Sequence, residues 1–170
     1  MQVFKITGKF EQNGKWSELT GYFVKRDDDD VIEGYVDAQM DASTNPVRCI
    51  KGIYTKGGRL TFLQDEVNSP PICYDFTNVN KQDSQFTHYT RAYARTSLYS
   101  YSFKNFDNGL AQMQLEKIDS DDDEKMELAR EIAALHYRNS QTDSATGIAN
   151  RYLMETFKDV ITVFIEEYCG

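Results

Sequence analysis

The sequence predicts a mainly β protein, an antiparallel up-and-down β-barrel of about eight strands followed by two α-helices. Two observations lead to this prediction. Up to Ile118 the apolar residues alternate with polar ones, which is the period of strands, and after Ile118 their spacing becomes helical. A glycine pattern also recurs in four of the strand candidates, as ITGKF, LTGYF, IEGYV and IKGIY.

In each copy of this pattern the glycine shares one face of its strand with the apolar residues two positions away. Gly8, Gly21, Gly34 and Gly52 are therefore expected on the buried face, where glycine lets a strand bend or approach a neighbour closely. The copies lie too close in sequence for a crossover helix, so successive strands should be antiparallel neighbours. The repeat indicates the corners of a curved, closing sheet.

Short segments rich in turn-forming residues separate the strand candidates. Turns are expected at residues 13–15, 56–58, 68–71 and 106–109, the last of which is the sequence FDNG. The strand candidates are FKITGKF, WSELTGYF, VIEGYVDA, VRCIKGIY, RLTFLQ, ICYDF, LYSYSF and LAQMQLEKI.

Residues 119–170 are predicted to form an acidic helical pair packed on the barrel of residues 1–118, within a single domain. Acidic N-cap candidates begin a helix that ends at about Asn139, and a second helix follows from about Asp143 to Tyr168. The second helix has a broad apolar stripe, which must cover the barrel or a matching helix of a partner. The breadth of this stripe also predicts a homodimer or a similar small oligomer.

Composition and charge limit the classes of function. The formal net charge is −8 and most of it follows Ile118, so the chain should repel phosphate backbones, and nucleic acid is not an expected partner. No apolar run is long enough to span a bilayer, and the start MQVFKITGKF lacks a signal-peptide core. A cytoplasmic protein without a membrane partner is therefore expected. Its three widely spaced cysteines favour reduced thiols over a disulfide framework.

Gly14 and Trp16 form a G-x-W motif at the start of a strand, followed by a meander of about eight strands and a C-terminal helix. Over roughly residues 1 to 140 this arrangement resembles the lipocalin and avidin-like (calycin-type) barrels. In lipocalins an arginine from late in the barrel packs on the tryptophan, and here the last strand offers Lys117 instead. The resemblance implies a small closed barrel.

No pattern typical of a catalytic or metal site is found. His88 and His136 have no carboxylate or cysteine at a spacing that would make either a general base or a metal ligand. The acidic runs at 26–30 and 119–130 lack the ligand spacing and the glycine of a calcium loop, and both are expected to be solvated. No catalytic residue, metal or cofactor is predicted.

The stretch HYTRAYARTSLYSYSF, residues 88–103, is the best candidate for a binding site. If it is extended, arginines and tyrosines share one face, and together they suit a small planar or anionic ligand at the barrel mouth. In the alternative interpretation the tyrosines belong to the core and the arginines to a solvated loop. The candidate ligand-binding residues are Arg91, Arg95, Tyr93, Tyr99, Tyr101 and Trp16.

Three classes of function therefore remain. The first is a barrel that binds a small molecule, and the second is an interaction or oligomerisation module that uses the acidic helices. An enzyme with no recognisable motif is the third.

Overall fold

Eight strands, each antiparallel to the next, close into a barrel in the computed structural model. It describes residues 2–38, 47–64, 71–80, 86–97 and 100–118, together with Asp123, Glu127 and Glu131. The strands are β1 (Gln2–Gln12), β2 (Lys15–Lys25), β3 (Val31–Ala38), β4 (Val47–Tyr54), β5 (Leu60–Gln64), β6 (Ile72–Phe76), β7 (Thr87–Ser97) and β8 (Ser100–Lys117). Their order around the barrel follows the chain, and β8 returns to pair with β1. The predicted antiparallel barrel is confirmed.

The FDNG sequence, expected to form a turn, instead lies within the 18-residue strand β8. Asp107 accepts hydrogen bonds from Arg91 Nη2 at 2.9 Å and from Gln12 Nε2 at 2.8 Å, one from each neighbouring strand. A Cβ added to Gly109 would come within 2.4 Å of the backbone oxygen of Glu11, so this glycine permits close strand approach. Contacts with both neighbouring strands thus override the local turn signal. As a result, the last two predicted strands belong to the single strand β8.

Aromatic side chains fill the centre of the barrel. The ring centroids of Phe62 and Tyr74 are 5.3 Å apart, and those of Phe10 and Tyr89 are 5.4 Å apart. Phe76 stacks on Tyr89 with a centroid distance of 5.6 Å. Such contacts keep the rings in edge-on or offset geometries that stabilise packed aromatic pairs. The middle of the barrel is therefore a packed core rather than an open channel.

The four repeated glycines lie on the inner face, as predicted, where each allows a neighbouring strand to come close. A Cβ added to Gly8 would lie 2.6 Å from the backbone oxygen of Gln112. At the other three positions, Gly21, Gly34 and Gly52, the corresponding distances to a neighbouring strand's oxygen are 2.2, 2.1 and 2.0 Å. Real Cβ atoms do not come this close to a backbone oxygen. The curvature of the sheet therefore requires residues without a Cβ at these four positions.

Strands β5 and β6 are buried on both faces. Thr61, Cys73 and Asp75 point away from the barrel axis, yet each is 2% exposed or less. Arg59 reaches this outer face and forms a bidentate ion pair with Asp75, with both N to O distances at 2.9 Å. The Thr61 hydroxyl donates to the same carboxylate at 2.6 Å. This wall of the barrel therefore has a covered outer surface with its own polar cluster.

One described contact joins the barrel to the C-terminal segment. The hydroxyl of Tyr35, on the outer face of β3, donates to Oε1 of Glu131 at 3.4 Å. Burial, with a further contribution from Glu131, raises the pKa of Tyr35 to about 12. Apart from Asp123, Glu127 and Glu131, the two predicted C-terminal helices lie outside the described residues, and their packing on the barrel stays a prediction.

We expect an alkaline titration of the tyrosines to show one group that ionises near pH 12 in the parent protein and is lost in Tyr35→Phe. Because the pKa of Tyr35 in the folded state is raised above its usual value of 10.0, its contribution to stability is present below pH 10 and is lost as the pH rises towards 12. Glu131→Gln should lower this pKa, whereas Glu127→Gln should not. An unchanged titration in Glu131→Gln would show that this carboxylate does not act on the tyrosine.

Cys49 and Cys73 are buried free thiols, which agrees with the prediction of reduced cysteines, and Cys169 lies outside the described residues. Within the part of the chain that the structure describes, no helix is long and apolar enough to cross a membrane.

Candidate functional site

The described strands pair unequally along the C-terminal part of β8. Pairing between β7 and β8 begins at Thr87 and Ala111. Pairing between β1 and β8, in contrast, continues to Phe4 and Lys117. Among the described strands, residues 112–117 of β8 therefore pair on one side only. On the edge that faces β7, the residues that the structure describes supply no strand partner to these six positions.

A cavity of about 850 Å³ lies along this edge. Inner-facing residues of β1, β4 and β8 line one part of it, namely Phe4, Gly8, Tyr54, Met113 and Leu115. Outer-facing residues line another part, namely Thr7, Lys9, Glu18, Gln112 and Gln114. An opening must connect the two sides of the sheet, and the unpaired edge of β8 is where the described strands leave one. We refer to this space as the edge cavity.

Two aromatic rings, those of Phe4 and Tyr54, form the inner floor of the edge cavity, and the ring of Phe23 packs beneath them. Phe4 stacks on Phe23 with a centroid distance of 5.1 Å, and Tyr54 meets both rings edge-on at 5.5 and 5.8 Å. Phe23 is fully buried, whereas Phe4 and Tyr54 are only partly buried because they border the cavity. These three contacts fix the ring orientations, so the floor is a preformed apolar surface.

Val79 and Asn80 form the wall opposite β8. The backbone N–H of Val79 donates to the carbonyl of Gly58 at 2.9 Å. Asn80 accepts a hydrogen bond from the Tyr54 hydroxyl and donates to the carbonyl of Lys56 at 3.2 Å. The Tyr54 hydroxyl is protonated at neutral pH, and burial raises its pKa above the usual value. The turn between β4 and β5 therefore holds this wall in place.

The edge cavity has cationic groups at its border. Lys117 is exposed at the end of β8, where it pairs with Phe4 across the sheet. Lys9 is exposed on the outer face of β1, with its Nζ 5.2 Å from the centre of the Trp16 ring. Glu18, opposite Lys9 in the β1–β2 pairing, is the one lining carboxylate among the described residues. An apolar floor beside exposed ammonium groups suits an amphipathic anion better than a cation.

The structure places Arg91 inside the barrel, beside the core rather than in solvent. Arg91 is 4% exposed, and its guanidinium donates to the Asp107 carboxylate at 2.9 Å and lies 5.2 Å from the centre of the Tyr93 ring. Burial alone would lower the pKa of Arg91, but the hydrogen bond to Asp107 and the charge interactions with Tyr93, Tyr74 and Asp107 together raise it. The predicted neighbours Arg91 and Tyr93 are thus together, but the arginine is already neutralised within the protein.

Of the other predicted ligand residues, the structure describes the side chain of Trp16 alone. Trp16 points outward from β2 and is 44% exposed, with Lys9 rather than Lys117 against its ring. Arg95 and Tyr101 are paired through their backbones with Ser102 and Thr96, but their side chains lie outside the described set. Tyr99 lies outside the described residues altogether. Arg95, Tyr99 and Tyr101 therefore remain predictions as ligand residues.

Residues 88–103 do not form the single extended strand on which the first interpretation of this stretch depends, because β7 ends at Ser97 and β8 starts at Ser100. The chain reverses between these residues. Tyr93 pairs with Lys104 across the two strands, and a register irregularity lies between Tyr93 and Arg91.

No constellation typical of catalysis or metal binding appears in the part of the chain that is described. His88 is exposed on β7, and His136 lies outside that part. No group of three or more His, Cys, Asp or Glu side chains that could hold a metal is present among the described residues. The acidic loop at 26–30 is instead engaged with its own neighbours, since Lys25 Nζ donates to the Asp29 carbonyl at 2.8 Å and Arg26 pairs with the Asp29 carboxylate.

Comparison with known proteins gives no family for this chain: no protein-family model, curated protein or solved structure matches it. The barrel is consistent with a calycin-like architecture on its topology alone. Arguments about function therefore depend on the site itself.

Proposed function

We propose that the protein binds a small, mainly apolar ligand with an acidic group, and that the ligand occupies the edge cavity. The observation that carries this proposal is a cavity of about 850 Å³ with a fixed aromatic floor and an exposed lysine at its border. Ligand pockets usually have volumes of roughly 300 to 1,000 Å³ and a mainly apolar lining with a few polar groups. The edge cavity falls within this size range, and its lining combines an apolar aromatic floor with polar side chains on its outer part.

The location differs from the barrel mouth near residues 86–103 that the sequence suggests. Arg91 at that place has Asp107 as an ion-pair partner, so an anionic ligand would have to displace a carboxylate before it gained the arginine. Lys117 has no carboxylate within 4 Å among the described residues, and its ammonium group is exposed beside the aromatic floor. Binding of an acid beside Lys117 therefore costs less desolvation than binding at Arg91, and it breaks no internal ion pair.

We expect anilinonaphthalene sulfonate, a planar apolar anion, to bind the parent protein with an increase in fluorescence. Lys117→Gln should weaken this binding about three- to tenfold, because an exposed charge-assisted contact contributes on the order of 1 kcal/mol. Met113→Trp should weaken it further by filling the cavity above the floor. A fluorescence titration of each variant measures both effects.

Lys5→Gln is the matched control. Lys5 is exposed on the same strand as Phe4 but does not line the edge cavity, so this variant makes the same change in net charge at another place. Equal weakening in Lys5→Gln and Lys117→Gln would attribute the effect to net charge and would contradict a site at the edge cavity. Binding that is unchanged in both Lys117→Gln and Met113→Trp would do the same.

A further inference from the structure

The apolar floor of the edge cavity ends in a polar corner on the side of β4. The ring of Tyr54 meets the rings of Phe4 and Phe23 edge-on, and its hydroxyl donates to the side-chain oxygen of Asn80. Both Tyr54 and Asn80 line the cavity. We refer to the Tyr54 hydroxyl and the Asn80 amide together as the polar corner.

The hydrogen bonds of Asn80 determine where the proton of the Tyr54 hydroxyl points. Asn80 Nδ2 donates to the backbone carbonyl of Lys56 at 3.2 Å. If the amide were rotated by half a turn, its oxygen would face that carbonyl, and two acceptors would lie against each other. The amide oxygen of Asn80 therefore faces Tyr54, and the Tyr54 hydroxyl must be the donor of the bond between them.

This arrangement limits what the Tyr54 oxygen can offer to a ligand. A phenol hydroxyl has a single proton, and Tyr54 donates it to Asn80. The oxygen can still accept a hydrogen bond, but it cannot donate one to a ligand unless the bond to Asn80 breaks. A ligand hydroxyl at this place would supply the missing proton. An ether or carbonyl oxygen would instead be an acceptor placed against an acceptor, which is unfavourable.

The polar corner and Lys117 lie on different sides of the apolar floor. Lys117 belongs to β8 and pairs with Phe4 across the sheet, whereas Tyr54 belongs to β4 and contacts the Phe4 ring at 5.5 Å. The strands β4 and β8 are four positions apart in a closed barrel of eight, so they belong to opposite walls. A ligand that covers the floor can therefore place one polar group near each wall.

We propose that the ligand of the edge cavity is an apolar acid that also carries a hydroxyl group, with the acid beside Lys117 and the hydroxyl donating to the Tyr54 oxygen. This inference rests on the proposed function and narrows the class of ligand. The apolar part between the two groups would cover the Phe4 ring. Tyr54 is then a residue that determines specificity, because it selects a proton donor over an acceptor of similar shape.

Three acids with one apolar skeleton test the proposal, namely biphenylacetic acid and its derivatives with a hydroxyl or a methoxy group on the far ring. In calorimetric titrations the parent protein should bind the hydroxyl derivative about three- to tenfold more tightly than the methoxy derivative. The unsubstituted acid, which cannot donate to Tyr54, should also bind more weakly than the hydroxyl derivative. Tyr54 is only partly buried and Asn80 is exposed, so water competes for the polar corner and keeps the preference moderate.

Tyr54→Phe keeps the aromatic ring of the floor and removes its oxygen. The preference for the hydroxyl derivative should therefore fall to within about twofold, through weaker binding of this derivative. Tyr22→Phe is the matched control, because Tyr22 lies beside Tyr35 on the outer face of β2 and does not line the edge cavity. This control should keep the preference of the parent protein.

Asn80→Ala tests the direction of the Tyr54 proton. Without the amide oxygen of Asn80, the Tyr54 hydroxyl is free to turn and donate to a ligand. The methoxy derivative should then bind about threefold more tightly than it binds the parent protein, whereas Tyr54→Phe should show no such gain. Thermal melts establish that the variants are folded; if Tyr54→Phe is not, Asn80→Ala decides.

The outcomes separate the two proposals. Binding of anilinonaphthalene sulfonate without binding of the hydroxyl derivative would overturn the assignment of a hydroxylated acid and leave the proposed function standing. Equal affinities of the parent protein for the hydroxyl and methoxy derivatives would do the same. A preference that persists unchanged in Tyr54→Phe would also overturn the assignment, since another group would then select the hydroxyl. Absence of binding by all three acids and by the sulfonate would overturn both proposals.

Discussion

Asp75→Ala is expected to lower the free energy of unfolding by about 3 kcal/mol. The carboxylate is 2% exposed and accepts two hydrogen bonds from Arg59 and one from Thr61. Alanine would leave the guanidinium half-buried without its anion and the Thr61 hydroxyl without its acceptor. The side chain of Arg59 is 27% exposed, so water can partly replace the lost carboxylate. The loss of stability should therefore lie at the lower end of the range for broken buried ion pairs.

The control is an ion pair of the same kind on a neighbouring part of the sheet. Lys51 and Glu33 lie 3.6 Å apart, with 24% and 36% of their side chains exposed. Glu33→Ala should therefore cost no more than about 1 kcal/mol. Urea unfolding of both variants measures the difference. Equal losses would mean that the covered outer face of β5 and β6 does not exclude water from the Asp75 cluster.

Gly52→Ala should destabilise the barrel by about 3 kcal/mol or more, because it forces an overpacked contact between two backbones. A Cβ at this position would lie 2.0 Å from the carbonyl oxygen of Thr61 and 2.6 Å from the Cα of Phe62. Neither atom can move without a shift of β5 as a whole. The variant should therefore have a melting temperature well below that of the parent protein.

Gly57→Ala is the matched control, since the nearest atom to a Cβ there is the Thr55 hydroxyl oxygen at 3.8 Å. Alanine at this turn position meets no obstacle and also restricts the unfolded chain, so stability should stay within about 1 kcal/mol of the parent. If Gly52→Ala has the same melting temperature as Gly57→Ala, the close approach of β4 and β5 is not needed for the stability of the fold.

Much of the barrel could be predicted from the sequence because alternation and glycine placement are local signals with one physical meaning each. Gly21 and Gly34 fall on the inner face for the same reason that Phe23 and Val36 do, since side chains in a strand alternate. The FDNG turn was predicted wrongly because a turn signal describes local preference. Asp107 and Gly109 are instead selected by their contacts with β1 and β7.

The candidate site was harder to predict, because it depends on how far two strands are offset. The offset between β7 and β8 sets how many residues of β8 lack a described strand partner. The sequence of residues 112–117 contains no signal of this offset. The sequence suggests a free cation at Arg91 because its partner Asp107 lies in a predicted turn rather than in a predicted strand. Val79 and Asn80 belong to an irregular segment, which periodicity does not describe at all.

The pairing of the first strand with the last has a consequence for the order in which the chain can fold. Phe4 can pair early with Phe23 of β2, but its partner on the other side, Lys117, becomes available only after nearly the whole barrel has been synthesised. Contacts between residues so distant in sequence are reached slowly, because the entropy of closing the loop is lost before the contact forms. A nascent chain that lacks β8 leaves both β1 and β7 with unpaired edges, which other chains can join. Productive folding therefore requires that β8 pairs with β1 and β7 before another chain pairs with their free edges.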